Sequence, residues 1–496
     1  MQLLTRLDRF LNGITMYRLL FYGLGILLAL GSVCAALGMF SFGLGSLLVS
    51  VAVLLASSVG SNLLFAKLYR VPVNVESAYI TALILALIIT PKVTVEGILG
   101  LVLAGVLAMA SKYVLALHHK HIFNPVALSA FLVSLFGFAR VGWWVGTATL
   151  LPFTLILGYC VLRKIRREKM AGLFLLVALV IILFEGLVLN GQSLSDTLSQ
   201  TLLSGPIIFF AGVMLTEPLT TPPTVSGRYY YAALIALAMT SRWRIGDVSA
   251  GPLTGLLLGN IFSYIISPKQ RLTLTLKEVQ KMAPNIWNFV FTAPEKLKFT
   301  AGQYAEWTLA TKGNDDRGNR RYFTIASPPG GDEVHLGVKF YQPSSSFKEQ
   351  LMALQPGDPI VIGQVAGDFT LSNPEEPVLF LAGGVGVTPF RSMIETLPST
   401  ANAVLLYGAA NPGEVVYRET IAKIPTSYVL GNAEGAPAEW NTRQGYMTTE
   451  ILQDLVPDIA TRKVYISGPN MFVDKAKEAV KQLGAKKVVT DYFPGY

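Results

Sequence analysis

The hydrophobic pattern divides the chain at Pro268 into two parts of different kinds. Up to that residue, apolar segments of helical length follow one another with short polar breaks, which is typical of membrane-spanning helices. These segments are residues 17–38, 43–66, 77–90, 94–117, 124–139, 143–162, 171–189, 203–216, 229–241 and 249–266. The pattern predicts a transmembrane bundle of about ten helices over residues 1–267. Since several segments are shorter than the roughly 20 residues that a straight crossing needs, the number of crossings is open by about one or two.

Charge supports the membrane interpretation and orients it. The net charge of +9 lies wholly in the apolar part, where 17 Lys and Arg accompany 8 Asp and Glu, because the remainder has 23 residues of each sign. With ten crossings and a cytoplasmic N-terminus, twelve of these basic residues fall inside and four outside, as the positive-inside rule requires. We expect a multi-pass protein of the inner (cytoplasmic) membrane with both termini in the cytoplasm. An uncleaved first span is expected, and nucleic-acid binding is not.

The chain has only two cysteines, Cys34 and Cys160, and each lies within an apolar segment. Because an iron–sulfur cluster takes about four cysteine ligands, two residues cannot hold one. We expect both to be small buried hydrophobic side chains, and no disulfide framework or metal site is predicted.

Three polar stretches interrupt the apolar part: HHKHIFNP (118–125), WWVGTATLLP (143–152) and MLTEPLTTPPT (214–224). Short, proline-interrupted spans with polar groups often line a site between inverted repeats. Residues 80–92 and 207–222 are alike in sequence and would run in opposite directions, as in a five-plus-five inverted repeat. Chance similarity between two apolar segments is the alternative.

After Pro268 the pattern changes to short strands, followed by strands that alternate with helices. The predicted strands are residues 272–276, 287–291, 303–309, 322–326, 333–341 and 359–364, and then 378–382, 403–408 and 464–468. The regular spacing of the first group predicts a small antiparallel β-barrel over residues 268–374. The second group predicts a nucleotide-binding α/β domain over residues 375–496.

The most informative stretch of the α/β part is VLFLAGGVGVTPFRSMIE, residues 378–395. An apolar run of strand length meets Gly383, Gly384 and Gly386. Thr388 and Pro389 then predict an N-cap followed by proline at the first helical position. Glycines let phosphates approach the backbone, and a helix N-terminus offers free N–H groups and partial positive charge. The stretch predicts a site for a nucleotide pyrophosphate; taken alone, it also fits a glycine turn without a ligand.

A second candidate site is RYFTIAS, residues 321–327, in the predicted barrel. Arg321 can pair with a pyrophosphate, Phe323 lies on the same strand face, and Thr324 adds a hydroxyl. A flavin needs a charge for its phosphates, a ring against the isoalloxazine and a hydrogen bond near N5. Taken alone, the same residues also fit an exposed basic pair before an ordinary strand.

The order of motifs across residues 270–496 strongly resembles the ferredoxin–NADP⁺ reductase superfamily, in which an FAD barrel precedes a nicotinamide domain. The positions that match the motifs of that family are Arg321, Phe323 and Thr324, then Val338, Lys339, Ser345 and Ser346, then Gly383, Gly384, Gly386, Thr388 and Pro389, and finally Ser467, Gly468, Pro469 and Phe493. The resemblance implies that the first two sets contact FAD and that the third binds the nicotinamide pyrophosphate. The last set would lie beside the nicotinamide and the flavin.

The same resemblance implies hydride transfer from NADH or NADPH to FAD, with Thr324, Ser467 and Phe493 at the catalytic positions. Two departures from the family pattern matter. Phe323 stands where a tyrosine is usual, which removes a hydroxyl contact to the flavin, and Ser467 stands where many members have cysteine, which removes a thiol. Residues 407–411 (YGAAN) lack an arginine that would pair with a 2′-phosphate, which favours NADH over NADPH.

The apolar part resembles a family of membrane proteins shared by the Rnf complex and the sodium-pumping NADH:quinone reductase (Nqr). The resemblance covers residues 15–267 through HIFNP, WWVGT and MLTEPLTTPPT. It implies a ten-helix scaffold that carries flavin, in which a threonine of an S/T-G-A-T motif holds covalent FMN. Here Thr147 takes the glycine position of that motif, so Thr149 is either an FMN anchor or a helix-start threonine. Glu185 is either functional or hydrated near the interface.

The sequence therefore predicts a membrane-bound, flavin-dependent NAD(P)H oxidoreductase. It would pass electrons from cytoplasmic NADH through FAD into or across the membrane, to a quinone or to an extracytoplasmic flavin or redox protein. The alternative is a redox-driven Na⁺ or H⁺ pump or transporter, with the reductase as its energy source. A haem-bearing oxidase is disfavoured, because paired haems need about four histidines on facing helices and three of the four present lie within residues 118–121. A passive anchor is disfavoured by the internal polar stretches.

Overall fold

The computed structural model describes residues 2–69, 73, 75–117, 120–245, 248–268, 270–309 and 319–491. The chain forms two compact units, of which the first ends at Ser267 and the second begins at Pro268. We call them the apolar unit and the reductase unit and describe each by itself.

The apolar unit consists almost entirely of helices. They are α1 (Gln2–Gly13), α2 (Met16–Ala36), α3 (Leu44–Leu68), α4 (Val75–Ile88), α5 (Val95–Val114), α6 (Pro125–Leu135), α7 (Leu151–Ile165), α8 (Glu168–Leu183), α9 (Leu194–Leu198), α10 (Ile207–Phe209), α11 (Val225–Thr240) and α12 (Pro252–Ile266). Phe184–Leu189, Ser199–Leu203 and Phe210–Met214 continue α8, α9 and α10 as π-helical turns. Two short antiparallel pairs join β1 (Ala116–Leu117) to β2 (Lys120–His121), and β3 (Arg244–Ile245) to β4 (Val248–Ser249).

Local sequence explains where several of these helices begin. The side chains of Thr15, Thr94, Asn124 and Thr224 each accept a hydrogen bond from a backbone N–H in the first turn of α2, α5, α6 and α11. Such capping satisfies donors that have no partner within the helix, which is most important in an apolar environment.

Length and composition make several helices candidates for membrane spans. In the part of the chain that the structure describes, α2, α3, α5 and the continuous helix Glu168–Leu189 are long and apolar enough to cross a bilayer. The pair Leu194–Leu203 and Ile207–Met214 passes the same test as one span bent by 52°. Helices α4, α6 and α12 are apolar but shorter. The prediction that residues 143–162 form one helical segment is wrong for residues 143–150, which form turns.

The turns at residues 143–150 are held against the end of α4. The backbone N–H of Trp143 donates to Ile88 O at 2.9 Å, and the indole N–H of Trp144 donates to Ala86 O at 2.7 Å. These bonds satisfy carbonyls at the C-terminus of α4. Because residues 143–150 are held in this way, α7 begins only at Leu151.

The first half of the reductase unit is a six-stranded antiparallel sheet in the order β8-β7-β10-β5-β6-β9. Its strands are β5 (Leu272–Ala283), β6 (Ile286–Thr292), β7 (Tyr304–Thr308), β8 (Arg320–Thr324), β9 (Glu333–Lys339) and β10 (Pro359–Ala366), with α13 (Ser346–Met352) before the last. All six predicted strands are present. Alternate residues such as Leu272, Leu274 and Leu276 are buried, so one face forms a core that includes the fully buried Trp307.

The second half is a six-stranded parallel sheet in the order β14-β13-β12-β11-β15-β16. Its elements are β11 (Val378–Gly383), α14 (Thr388–Ile394), β12 (Ala403–Ala409), α15 (Arg418–Ile421), β13 (Thr426–Leu430), β14 (Asn441–Gln444), α16 (Thr449–Leu455), β15 (Lys463–Ser467), α17 (Asn470–Gln482) and β16 (Lys487–Thr490). Strand β11 is buried throughout because apolar clusters cover both faces of the sheet. The order of strands reverses between β11 and β15, and ligands of such sheets bind at the carboxyl ends beside this switch point.

Candidate functional site

The glycine turn follows β11 at the switch point of the parallel sheet. Gly384 has φ +56°, and a Cβ built on it would meet nothing within 4 Å, so the backbone faces open space. A 3₁₀ turn, Gly384–Val387, leads into α14. The prediction that Thr388 is an N-cap is wrong, since Thr388 is the first residue of α14 and its hydroxyl donates to Val385 O at 3.1 Å. Pro389 is therefore the second residue of the helix and not the first, although it still lies in the first turn.

The turn packs directly on the Ser467–Gly468–Pro469 loop, which follows β15. A Cβ built on Gly386 would lie 2.5 Å from Ser467 O and 2.6 Å from Gly468 Cα, so only glycine permits this approach. Ser467 is buried, and its hydroxyl donates to Asp491 Oδ2 at 3.1 Å. The fold thus joins two motifs that are more than eighty residues apart in the sequence.

In the antiparallel sheet, Arg321 and Phe323 lie on the same face of β8 as Ala305 and Trp307, their neighbours on β7. The Arg321 guanidinium lies 5.4 Å from the centre of the Phe347 ring, and the Phe323 ring lies 5.9 Å from it. Phe347 belongs to the first turn of α13. Arg321 is therefore next to the start of a helix, an arrangement that can hold phosphate.

The hydroxyl-bearing positions of the antiparallel half differ in exposure. Thr324, the last residue of β8, is buried, whereas Ser345 and Ser346 are half-buried. Ser345 caps α13 by accepting from Lys348 N.

The stretch Val338–Lys339 has contacts that the sequence did not reveal. Val338 is buried in the core of the antiparallel sheet, so it offers only its backbone to a ligand. The Lys339 ammonium lies 2.8 Å from Glu414 Oε2, on the loop after β12. Both partners are largely shielded from solvent, with 15% and 19% of their side chains exposed. Lys339 therefore forms an ion pair with the parallel half, and its contact with a flavin stays a prediction.

Several contacts connect the RYFTIAS and glycine stretches. Arg391 donates to Ala326 O at 2.9 Å, and Ser392 donates to Ser327 O at 2.7 Å. A Cβ built on Gly337 of β9 would lie 2.7 Å from Thr388 Cγ2. The antiparallel sheet therefore touches α14 at its first turn, and the structure brings the four motif stretches of the reductase unit to one region.

The surroundings shift the pKa values of two ionisable side chains in this region. Burial, and next the positive charge of Arg391, lower the pKa of His335 to about 4. Burial also lowers the pKa of Arg391 from its ordinary value. The imidazole of His335 is consequently neutral at pH 7.

A further residue that sequence reasoning missed is Phe472, in the first turn of α17. A Cβ built on Gly383 or Gly468 would lie 2.8 Å from its ring, and one on Gly408 would lie 3.3 Å away. The ring therefore rests on glycines at the carboxyl ends of three adjacent strands. Only the coincidence of glycine at those three strand ends could have suggested it.

The remaining predicted positions are elsewhere. Phe493 lies outside the residues that the structure describes, as do His118 and His119. Thr149 is exposed in the turn before α7. Glu185 lies 3.5 Å from the Arg242 guanidinium, which fits the hydrated interpretation of this carboxylate.

Comparison with known proteins places these features among flavin and nicotinamide enzymes. Residues 380–478 match the model of the oxidoreductase NAD-binding domain family. The chain is 27% identical over 228 residues to the NADH oxidoreductase HCR of Escherichia coli, covering 44% of this chain and 67% of that protein. It is 25% identical over 244 residues to NADH-cytochrome b5 reductase 1 of Coccidioides immitis, covering 45% and 78%.

A solved structure, the flavohem-like FAD/NAD-binding domain of nitric oxide dioxygenase from Vibrio cholerae, aligns with a TM-score of 0.40 and 22% identity. It covers 45% of this chain and 98% of that one. The sequence matches confirm the predicted class of enzyme and the nicotinamide and FAD cofactors. The C-terminal part of the chain is a ferredoxin–NADP⁺ reductase-like FAD/NAD-binding domain, and the protein is an FAD-dependent NAD(P)H oxidoreductase.

Proposed function

We propose that the protein is a membrane-bound NADH oxidoreductase that delivers electrons from cytoplasmic NADH, by way of FAD, into or across the membrane. The observation that carries this proposal is the convergence of the glycine turn, the Ser467–Gly468–Pro469 loop and the antiparallel sheet within one unit, with Gly386 against Ser467 and Gly337 against Thr388. A nicotinamide donor and a flavin acceptor need their sites to be adjacent, because hydride moves only between rings in contact.

The nicotinamide nucleotide would bind with its pyrophosphate along Gly383, Gly384 and Gly386. The open side of Gly384 leaves the backbone accessible, and the N–H groups at the start of α14 around Thr388 and Pro389 can donate to phosphate oxygens. Ser467, Gly468 and Pro469 would flank the nicotinamide. The absence of an arginine in residues 407–411 favours NADH.

The residues of β8 and α13 fit FAD. Arg321 would pair with its pyrophosphate beside the start of α13, where Ser345 is the N-cap and Ser346 the first residue. Phe323 would lie along the flavin as a flat apolar surface, Thr324 would donate or accept a hydrogen bond near N5, and Val338 and Lys339 would line the opposite side. When bound, FAD supplies the chemistry of accepting a hydride and releasing electrons one at a time. The protein holds the two rings together and excludes water; Phe493 would contribute an aromatic ring near the flavin.

For the apolar unit we propose a span of the inner membrane that carries the electron-transfer path, with both termini in the cytoplasm. Its long apolar helices support insertion. The acceptor would be a quinone or an extracytoplasmic flavin or redox protein. Covalent FMN at Thr149 would supply an additional redox group; the exposure of that residue supports accessibility to a modifying enzyme.

A second candidate function, a redox-driven ion pump, is favoured by buried charge in the apolar unit. Glu217 Oε1 lies 3.4 Å from His121 Nε2, and the Lys112 ammonium donates to Ser77 and Thr81 at 2.9 and 3.0 Å. Ionisable groups within an apolar bundle often mark ion or proton paths. Proteoliposomes distinguish these functions. Reduction of an impermeant lumenal acceptor by NADH supports transmembrane electron transfer. Sodium loading or acidification without that acceptor supports the pump. If neither result is observed, both functions are contradicted.

The test of the flavin assignment is Arg321→Ala. We expect it to lose FAD and NADH oxidation together, because the pyrophosphate loses its charge partner. Arg320→Ala is the matched control, since Arg320 is the adjacent residue and lies 3.4 Å from Glu306 on the other face of β8; it should keep FAD. Full flavin content and normal NADH oxidation in Arg321→Ala would contradict the assignment.

A further inference from the structure

Two side chains at the junction of the antiparallel and parallel sheets have no place in the function proposed so far. Arg391, on α14, donates to the carbonyl of Ala326, two residues beyond Thr324. Tyr417, just before α15, places its ring beneath the same guanidinium, 4.9 Å from ring centre to Cζ. The ring and the cation attract each other at this distance, and more strongly away from water.

The hydroxyl of Tyr417 reaches the antiparallel sheet. It donates to Asn288 Oδ1, on β6, at 3.1 Å. A Cβ on Gly337 of the neighbouring strand β9 would lie 2.4 Å from this hydroxyl and 2.7 Å from Thr388 Cγ2. Tyr417 and the first residue of α14 therefore press on the same point of β9, and glycine at position 337 allows both.

Asn288 extends the contact within the antiparallel sheet. It is buried, and its amide donates to Gln280 Oε1 at 2.8 Å and to His335 Nδ1 at 3.2 Å. The backbone N–H of His335 donates to Ser327 Oγ at 3.2 Å. Ser327 is also the residue whose carbonyl accepts from Ser392 of α14. The hydrogen bonds therefore form a closed ring of contacts around the end of RYFTIAS.

The backbone of Tyr417 is strained. Its φ of 57° and ψ of 38° are left-handed, a conformation that costs free energy for a bulky residue. Only 6% of the residue is exposed. Such strain persists where surrounding contacts determine the conformation fully, and it often accompanies function. The chain accepts it here to direct one ring between Arg391 and Asn288.

We propose that Arg391 and Tyr417 are positioning residues: they hold the RYFTIAS segment against α14 and so fix the distance over which hydride passes from the nicotinamide to the flavin. This inference rests on the proposed function, because it takes the glycine turn as the nicotinamide site and β8 as the flavin site. Neither residue needs to touch a cofactor. Both act through Ala326, Asn288 and Gly337.

The test uses the full-length, FAD-loaded protein mixed anaerobically with NADH, with loss of flavin absorbance followed by stopped flow. We expect Tyr417→Phe to slow flavin reduction about tenfold, because small displacements of reacting groups have large kinetic effects. FAD content and the Kd for NADH should stay within about twofold of the wild type, since neither site loses a contact. The deuterium isotope effect and the NADH–flavin charge-transfer absorbance should change with it, which a purely structural role would leave alone.

Tyr465→Phe is the matched control. Its hydroxyl donates to Thr370 O at 3.0 Å, so the change also removes one tyrosine hydrogen bond, but not one that involves Arg391, Asn288 or Ala326. We expect flavin reduction within about twofold of the wild type in this variant. If Tyr417→Phe reduced its flavin as fast as Tyr465→Phe does, the positioning role would be refuted.

Arg391 provides an independent variant should Tyr417→Phe fail to fold. Arg391→Met should slow flavin reduction, and Arg391→Lys, which can still donate to Ala326 O, should recover part of the rate. Equal rates for these two variants and the wild type would also refute the role. Failure of the proposed function appears differently, as a wild-type protein that lacks extractable FAD or whose flavin NADH does not reduce.

Discussion

The two units treat polar residues in opposite ways. In the reductase unit, polar and glycine positions from β8, β9, α14 and β15 meet at one region and leave backbone such as that of Gly384 open to a ligand. In the apolar unit, the polar stretches bind other residues of the same unit: His121 faces Glu217 at 3.4 Å, and Asn124 N donates to Asn260 Oδ1 of α12 at 2.8 Å. If the apolar unit lies in lipid, as we propose, it must satisfy its polar groups internally, because no water is available there. A polar motif is consequently stronger support for a ligand site in the reductase unit than in the apolar unit.

We expect the largest effect from a side chain added to the glycine turn. If that effect were absent, the contrast between the two units would not hold. In Gly386→Val, the new Cβ would lie 2.5 Å from Ser467 O and 2.6 Å from Gly468 Cα, so the turn must move away from the loop. We expect NADH-dependent flavin reduction to fall by about a hundredfold or more, with FAD retained. Stopped-flow reduction and flavin extraction measure both quantities.

Gly331→Ala is the control for this variant, since its Cβ would approach no atom closer than 3.8 Å. Wild-type reduction kinetics in Gly386→Val would show that the turn does not bind the nucleotide, and that convergence of motifs alone does not identify a site.

The sequence predicted the reductase unit in more detail than the apolar unit. The order RYFTIAS, glycine turn and Ser467–Gly468–Pro469 was sufficient to predict the reductase fold and the enzyme class, because glycine positions and strand ends mark the path of the backbone in the sequence itself. The membrane crossings and the function of the apolar unit stay predictions. Apolar periodicity gives the helices there but not their contacts.

Junction residues could not be predicted from any motif. Tyr417 follows an unremarkable loop, and nothing local indicates its left-handed backbone or its contact with Asn288, 129 positions earlier. Arg391 lies within the glycine stretch, but its partner Ala326 is fixed only by the packing of two sheets. The helix start at Thr388 was misassigned because the 3₁₀ turn Gly384–Val387 runs directly into α14, which removes the need for a side-chain cap.

A glycine contact in the apolar unit sharpens the comparison, since it should affect packing without affecting nucleotide chemistry. A Cβ on Gly212 would lie 2.6 Å from Gly158 Cα, so two helices touch backbone to backbone there. We expect Gly212→Leu to destabilise the apolar unit by about 3 kcal/mol. Reduction of ferricyanide by NADH should stay within about twofold of the wild type. Thermal unfolding in detergent and steady-state assays provide the measurements.

The same change at Gly172 is the control for Gly212→Leu, because a Cβ at Gly172 meets nothing within 4 Å. Equal unfolding temperatures for the two variants would argue against the close helix contact. Loss of ferricyanide reduction in Gly212→Leu alone would show that the reductase unit depends on the packing of the apolar unit.

The smallest effect at neutral pH concerns His335, an ionisable group in the reductase unit that has to remain neutral in the folded state. Its pKa in the folded protein is about 4, against an ordinary value of 6.5, and burial is the main cause. Above pH 6.5 both states are neutral and the stability does not depend on this group. As the pH falls from 6.5 to 4, His335 binds a proton in the unfolded chain but not in the folded protein. The free energy of unfolding therefore falls by up to about 3 kcal/mol.

His335→Asn isolates this contribution, since its side-chain oxygen can still accept from Asn288 but does not titrate. The difference in unfolding free energy between wild type and variant, measured by denaturant titration from pH 4 to 8, should be constant above pH 6.5. It should move in favour of the variant as the pH falls, while other titrating groups contribute equally to both proteins and cancel. A difference that stays flat over the whole range would mean that His335 is protonated in the folded state as readily as in water. The contact between Asn288 and Nδ1 would then not require the neutral imidazole, and the tight packing inferred for this junction would be wrong.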